Sequence, residues 1–141
     1  MVAWAEARRI NPLRWWQWVC AQRRYEVRAD GSWCWLLAFE SAARQQGKSV
    51  DIAEDAAWVA SIAPHTDGEL FEIAHAAHRV KTSLGVQAEL WAWAEAAGLE
   101  VRRLLGDSRI IWPGRAVWAT VAMESVYGRR PERLLADEAW A

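Results

Sequence analysis

The sequence predicts a mainly α fold: one compact helical domain spanning residues 1–141, a bundle of six or seven helices with one small β-hairpin near 100–112. Three observations predict it. Several stretches place apolar residues on one side of a helix. Asp51 with Glu54, and Thr66 with Glu69, have the three-residue spacing of a reciprocal capping box. No stretch rich in Gly, Ser or Pro divides the 141 residues into separate domains.

The elements follow in order. Residues 2–10 form a short helix that Asn11 and Pro12 end, because a residue before proline is pushed out of the helical region. A second helix runs from Leu13 to Arg24. Its Arg14, Gln17, Ala21 and Arg24 share one side, opposite Trp15, Trp16, Val19 and Cys20, and the tryptophan side is expected to dock on the core. Asp30-Gly31 suits a two-residue turn. It leads into a helix over about 33–46, apolar nearly all round at its start and closed by Gly47, which belongs at the centre of the domain.

The capping boxes start helices over 51–62, before Pro64, and 67–83, before Gly85. Another helix over 86–97 ends at Gly98, with Leu90, Trp91 and Ala94 as its buried stripe. Val101, Leu105, Ile110, Ile111 and Trp112 then surround Gly106-Asp107-Ser108, the best hairpin candidate in the chain. Helix resumes over 114–127 with Val117, Val121 and Met123 facing the core, and Pro131 suits the first turn of a last short helix.

Composition narrows the class. With 53% apolar and 25% charged residues, the chain has enough apolar side chains to fold and is not a disordered segment. The longest apolar run, Trp33 to Phe39, is far short of the roughly 20 residues a membrane-spanning helix needs. No apolar stretch follows the basic start, so a cytoplasmic protein is expected. Cys20 and Cys34 lie near tryptophans and are expected to behave as small buried hydrophobes.

Charge is segregated along the chain. Residues 1–30 carry six arginines against three acids, residues 31–100 four bases against ten acids, and residues 101–141 seven arginines against five acids. Basic ends around an acidic middle argue against a uniformly basic nucleic-acid binder, so any phosphate contact would come from the ends.

The motifs of catalysis are missing. There is no Gly-rich phosphate loop, no cysteine pair at zinc spacing, no Gly-x-Ser-x-Gly and no His-Glu-x-x-His. No catalytic residue and no cofactor is assigned, and a non-enzyme is expected. Glu72, His75 and His78 are the candidate metal ligands. On the helix expected there, Glu72 and His78 diverge by about 240°, so a site would need ligands from elsewhere, and the three are read as polar positions of an amphipathic helix. His65 is read as a loop residue. The adjacent acids Glu54 with Asp55, and Asp137 with Glu138, are read as a solvated face.

What remains is an excess of two side chains: twelve tryptophans, and fifteen arginines against two lysines. Trp and Arg are enriched at the energetic centres of protein interfaces. Twelve indoles exceed what a core of this size needs, and each buried one requires an acceptor for its N–H. Trp4, Trp18, Trp93 and Trp140 are the expected exposed members, each at a helix end or off the densest apolar stripe, with Arg14, Arg23 and Arg24 as the basic rim. The function expected is a non-catalytic adaptor or inhibitor of the kind carried by phages or mobile elements. Its partner is another protein, with a second copy of the chain also possible. The run Arg14-Trp15-Trp16-Gln17-Trp18 also has the composition of helices that lie in a membrane interface.

The alternative is nucleic-acid binding in transcription or replication. Gly68-Glu-Leu-Phe-Glu-Ile-Ala74, Ser83-Leu-Gly-Val86 and Ala97-Gly-Leu-Glu-Val101, followed by Gly106-Asp-Ser-Arg-Ile-Ile111, resemble winged-helix modules: two helices, a Gly-Leu exit and a wing. In another register, helices over 51–62 and 67–80 are similar to phage replication-initiation modules. The resemblance implies a reading helix over 86–97, where Gln87 alone suits a base edge, and wing residues Arg102, Arg103 and Arg109 on phosphate.

Overall fold

Strands stand where the second half of the sequence predicts helices. The structure, a computed structural model, describes residues 1, 3, 4, 7, 13–65 and 68–137. Thr66, Asp67, Glu138, Trp140 and most of the helix expected over 2–10 lie outside the described residues. Among the described residues, four helices and a five-stranded mixed sheet make this an α/β fold, which corrects the expectation of a mainly α bundle. The chain forms two compact units, residues 1–51 and 52–141.

In the first unit, helix α1 (Trp15–Arg24) begins at Arg14, whose backbone N–H donates to Gln17 Oε1 at 2.7 Å. Arg28 N–H donates to the Ser32 carbonyl at 2.8 Å, closing the Asp30-Gly31 turn, and Val27 bridges to Trp33. Gly31 takes a φ of +84°, which suits the absence of a Cβ. The helix expected over 33–46 does not form; the chain there is irregular, with bends at Cys34 and Leu36 and a turn at 44–45. A helix apolar all round is stable only when surrounded by other apolar groups. Among the described residues of this unit, Leu13 and Ala21 are the buried hydrophobic ones, so no core is present to receive it.

The second unit is organised by its sheet. Helix α2 (Lys48–Ile62) starts at the end of the first unit; then come β1 (Phe71–Ala77), α3 (Val80–Ala88), α4 (Trp91–Ala96), β2 (Glu100–Leu104), β3 (Asp107–Trp112) and β4 (Ala116–Ala122). A 3-10 turn, Met123–Val126, leads on towards β5 (Arg133–Asp137). The strand order is β2-β3-β4-β1-β5. Strands β4 and β5 flank β1 in parallel, with Ile73 opposite Trp118 and Arg133, and His75 opposite Thr120 and Leu135. Strands β2, β3 and β4 pair antiparallel. The β2–β3 hairpin turns at Leu105-Gly106, at the place the sequence indicated, and Gly106 has a φ of +87°.

The expected helix over 67–83 is replaced by β1 because its residues are buried on both faces. Side chains alternate along a strand, so Ile73 and His75 share a face with Trp118 and Thr120. Ala74 and Ala76 share the other with Val121, against which Met123 and Val126 pack. A strand covered on both faces reads as a continuous apolar run, with no period to separate it from helix. The same holds for β4, whose Ala116, Trp118, Ala119, Thr120 and Val121 are all buried, in place of the helix expected over 114–127. Residues 86–97 are the end of α3 and the separate short α4 rather than one helix, and the short helix expected after Pro131 is β5.

Polar side chains tie the layers of this unit together. Gln87 is buried on α3; its Nε2 donates to the Trp118 carbonyl at 2.8 Å, and its Oε1 accepts from Ser108 Oγ at 2.6 Å. Glu54 and Asp55, read from sequence as a solvated pair, are buried. Arg133 Nε of β5 donates to Asp55 Oδ2 of α2 at 2.9 Å, and Asp137 is buried as well. Arg115 Nη1 donates to the Ser61 carbonyl at 2.6 Å, which fixes the end of α2 against the turn before β4. Asp51 and Glu54 do not cap α2, which starts three residues before Asp51.

Candidate protein interface

Helix α1 is rotated part of the way from the sequence expectation, with Trp16 and Cys20 of the expected core side half-buried. Gln17 and Ala21 are buried, whereas Trp15, Trp18 and Val19 are exposed. Polar bonding explains the orientation. Gln17 Nε2 donates to the Gly47 carbonyl at 2.9 Å, and Arg14 Nη1 donates to Gln46 Oε1 at 2.6 Å. At the other end of the helix the Arg24 guanidinium, nearly buried, bonds Glu40 through Nε at 2.9 Å and Asp51 Oδ2 through Nη2 at 2.5 Å. Buried ionic groups persist only when paired and hydrogen-bonded, so once Arg24 meets two carboxylates the helix rotation is fixed. Of the apolar side of α1, Trp15 and Val19 are then left in solvent.

The segment after the turn presents still more apolar surface. Trp33, Trp35, Leu36, Leu37 and Phe39 are all exposed, Leu36 completely, Leu37 at 85% and Phe39 at 66%. Trp33 meets Tyr25 edge-on, with ring centroids 5.6 Å apart. Trp35 Nε1 donates to Glu26 Oε2 at 2.9 Å, and Arg23 Nη1 donates to Glu26 Oε1 at 2.7 Å. Those two donors, Trp35 first, hold the Glu26 carboxyl below its ordinary pKa. The indole of Trp35 is thereby oriented at its polar edge while its face stays open.

Together Trp15, Trp18, Val19, Trp33, Trp35, Leu36, Leu37 and Phe39 leave roughly 800 Å² of side chain in solvent, taking about 200 Å² for an open aromatic and about 100 Å² for an aliphatic. Scattered apolar residues need no explanation; this many in a unit that buries glutamine, arginine and aspartate do.

The residues singled out from sequence are distributed as follows. Trp18 and Arg14 are exposed, Arg23 is spent on Glu26, and Arg24 is sequestered in its carboxylate pair. Trp4 is half-buried. Trp93 belongs to the second unit, half-buried, its ring centroid 6.5 Å from that of Trp112. Trp140 lies outside the described residues. The strongest contributors, Trp15, Trp33, Trp35, Leu36, Leu37 and Phe39, were missed because an apolar run is assigned to the interior by default.

The nucleic-acid candidates are occupied with other partners. Gln87 has both amide atoms engaged inside the fold, and the helices over 67–83 and 86–97 that the winged-helix resemblance requires are a strand and two short helices. Arg102 bonds Glu100 at 2.7 Å, Arg109 bonds Asp107 at 2.5 Å, and Arg103 bonds Glu95 while lying 5.0 Å over the Trp91 ring. Glu72 and His75 project from opposite faces of β1; Glu72 bonds Arg129 at 3.0 Å, His75 is sealed in the interior, and His78 is exposed after the strand. Among the described residues no group of three His, Cys, Asp or Glu side chains is placed to hold a metal ion. A cleft of about 440 Å³ on the sheet is lined by Val117 and Ala119 with three arginines balanced by three glutamates, leaving no excess charge.

Burial and the neighbouring carboxylates of Glu40 and Asp51 push the Cys20 thiol above its ordinary pKa, away from the thiolate that nucleophilic chemistry uses. No described helix is long and apolar enough to cross a membrane. Comparison with protein-family models, curated proteins and solved structures gave no match.

Proposed function

We propose that this chain is a non-catalytic binding module, an adaptor or inhibitor, that recognises another protein through the apolar side chains exposed by its first unit. The observation that carries the reading is the inversion of that unit: Gln17, Arg24 and Asp51 lie inside, while Trp15, Trp35, Leu36 and Leu37 face water. Transferring roughly 800 Å² of such surface out of water supplies a gross driving force of about 20 kcal/mol, several times what association and side-chain ordering cost at the low end. Arg14 lies exposed next to Trp15 and provides the polar rim that excludes water around such a centre.

The test is capture by immobilised protein, comparing the native chain with Trp35→Ala/Leu36→Glu after nuclease treatment and in high salt. Retention of the same protein by the native chain only, insensitive to both treatments, supports the reading. Phosphate-driven binding falls steeply with salt. Equal retention by the variant, or loss of every partner after nuclease, overturns it.

A further inference from the structure

We propose that the second unit holds a binding site for a phosphate group, free or as a phosphomonoester, between the carboxyl ends of β1 and β4 and beneath the first turn of α3. It does not depend on the protein-binding reading of the first unit. Four buried side-chain atoms point to it. His75 Nδ1 and Nε2, Trp118 Nε1 and Thr120 Oγ1 have no hydrogen-bond partner among the described residues. All belong to one patch of the sheet: His75 pairs with Thr120 across β1 and β4, and its ring stacks on that of Trp118. Folded proteins leave few buried polar atoms unpaired, since each costs stability unless it serves another purpose. An indole N–H, one imidazole N–H and a hydroxyl supply three donors at this patch, a set suited to an oxyanion.

The topology opens the sheet at the same place. After β1 the chain crosses this face as α3, where Gln87 bonds the Trp118 carbonyl and Ser108. After β4 it crosses the opposite face, where Met123 and Val126 pack on Ala74, Ala76 and Val121. Neighbouring parallel strands whose connections leave over opposite faces form a crevice at their carboxyl ends, where open sheets bind ligands. Helix α3 runs back from that end: Ser83, buried one turn before Gln87, lies at the level of Thr120, two residues beyond Trp118. The first turn of α3 therefore covers His75 and Thr120. That turn has no side-chain cap and no acidic residue, and the Val80 and Lys81 N–H groups lack a partner within the helix. Arg79 and Lys81, exposed beside them, make no ion pair among the described residues. Asp137, a carboxylate at the same end of the sheet, belongs to β5 on the far side of β1, and Glu124 is exposed after β4. Among the described residues no side chain of residues 78–82 bonds the sheet, so this turn can lift to admit the phosphate group.

Titration of the full chain with inorganic phosphate and, in parallel, methyl phosphate, at constant ionic strength and followed in amide and indole NMR spectra, tests this. The expected result is saturable shifts of the Trp118 indole N–H and of the Val80 and Lys81 amides. Whichever ligand saturates at the lower concentration identifies the source of the phosphate group. Thr120→Val and His75→Leu remove unpartnered buried atoms and should leave the fold at least as stable, yet each should weaken binding about tenfold, the effect of one lost hydrogen bond to a charged group. A purely structural role for the two side chains predicts unchanged binding. A native chain with no saturable shift for either ligand overturns the proposal. So do shifts confined to Arg79 and Lys81 that Thr120→Val and His75→Leu leave unchanged, the mark of an anion attracted to the surface alone.

Discussion

Replacing His75 with leucine tests the sheet at its centre. The imidazole is fully buried on β1 against the Trp118 ring, 6.1 Å between centroids, and neither nitrogen has a hydrogen-bond partner among the described residues. Burial pushes its pKa down to about 4, whereas an unfolded chain gives about 6.5. The native state therefore keeps the ring neutral while the unfolded chain takes up a proton as the pH falls. Because the folded pKa is the lower one, stability is complete above about pH 6.5 and is lost as the pH falls from there to about 4. At 1.36 kcal/mol per unit, the loss amounts to about 3 kcal/mol over that window. Urea denaturation of the native chain and His75→Leu, stepped through the window, isolates this contribution as the difference between the two profiles. At neutral pH the variant should be at least as stable, since a side chain of similar size replaces two buried, unpartnered nitrogens. Parallel profiles would show a solvated imidazole and refute the placement of residue 75 on a strand covered on both faces.

Three further outcomes follow from the same geometry. Thr120 Oγ1 is buried beside His75 without a partner among the described residues, so Thr120→Val should raise stability by about 1 kcal/mol in thermal denaturation; a loss would mean the hydroxyl is bonded. Arg24→Met strands the Asp51 and Glu40 carboxylates and should cost about 3–5 kcal/mol in the first unit, with part regained in Arg24→Met/Asp51→Asn, measured by hydrogen exchange across residues 13–47. Gly47 has a φ of +89°, and an added Cβ would meet Gln17 Nε2 at 3.1 Å, so Gly47→Ala should cost about 1–2 kcal/mol by urea denaturation.

Local signals in the sequence were informative where the chain is locally determined. Asp30-Gly31 and Gly106 mark turns because a positive φ is a property of one residue, and the helices over 15–24 and 48–62 are close to their expected ranges. The sheet was not legible for a physical reason. Ala74, Ala76 and Ala77 in β1 are residues of high helix propensity, placed in a strand by partners β4 and β5 that lie about forty to sixty positions away. The cue passed over was β4, where Val117, Thr120 and Val121 are β-branched and Trp118 is aromatic. At the candidate interface, the excess of tryptophan pointed to exposed indoles, but which ones depended on Gln17 and Arg24. Their partners Gly47, Glu40 and Asp51 are distant in sequence, so the turn of α1 that opens Trp15 and buries Gln17 could not be read from its own amphipathic pattern.

The claim on which the functional account stands is that the residues after the first turn lie open in the single chain and become covered on association. Hydrogen exchange at the lowest workable concentration measures this directly. The account predicts amides at Trp35–Ala38 exchanging near the rate of an unfolded peptide, while those of β1 and β4 in the same sample stay protected. Protection at Trp35–Ala38 comparable to that of β1 in the dilute chain would place the segment inside the molecule and contradict the account.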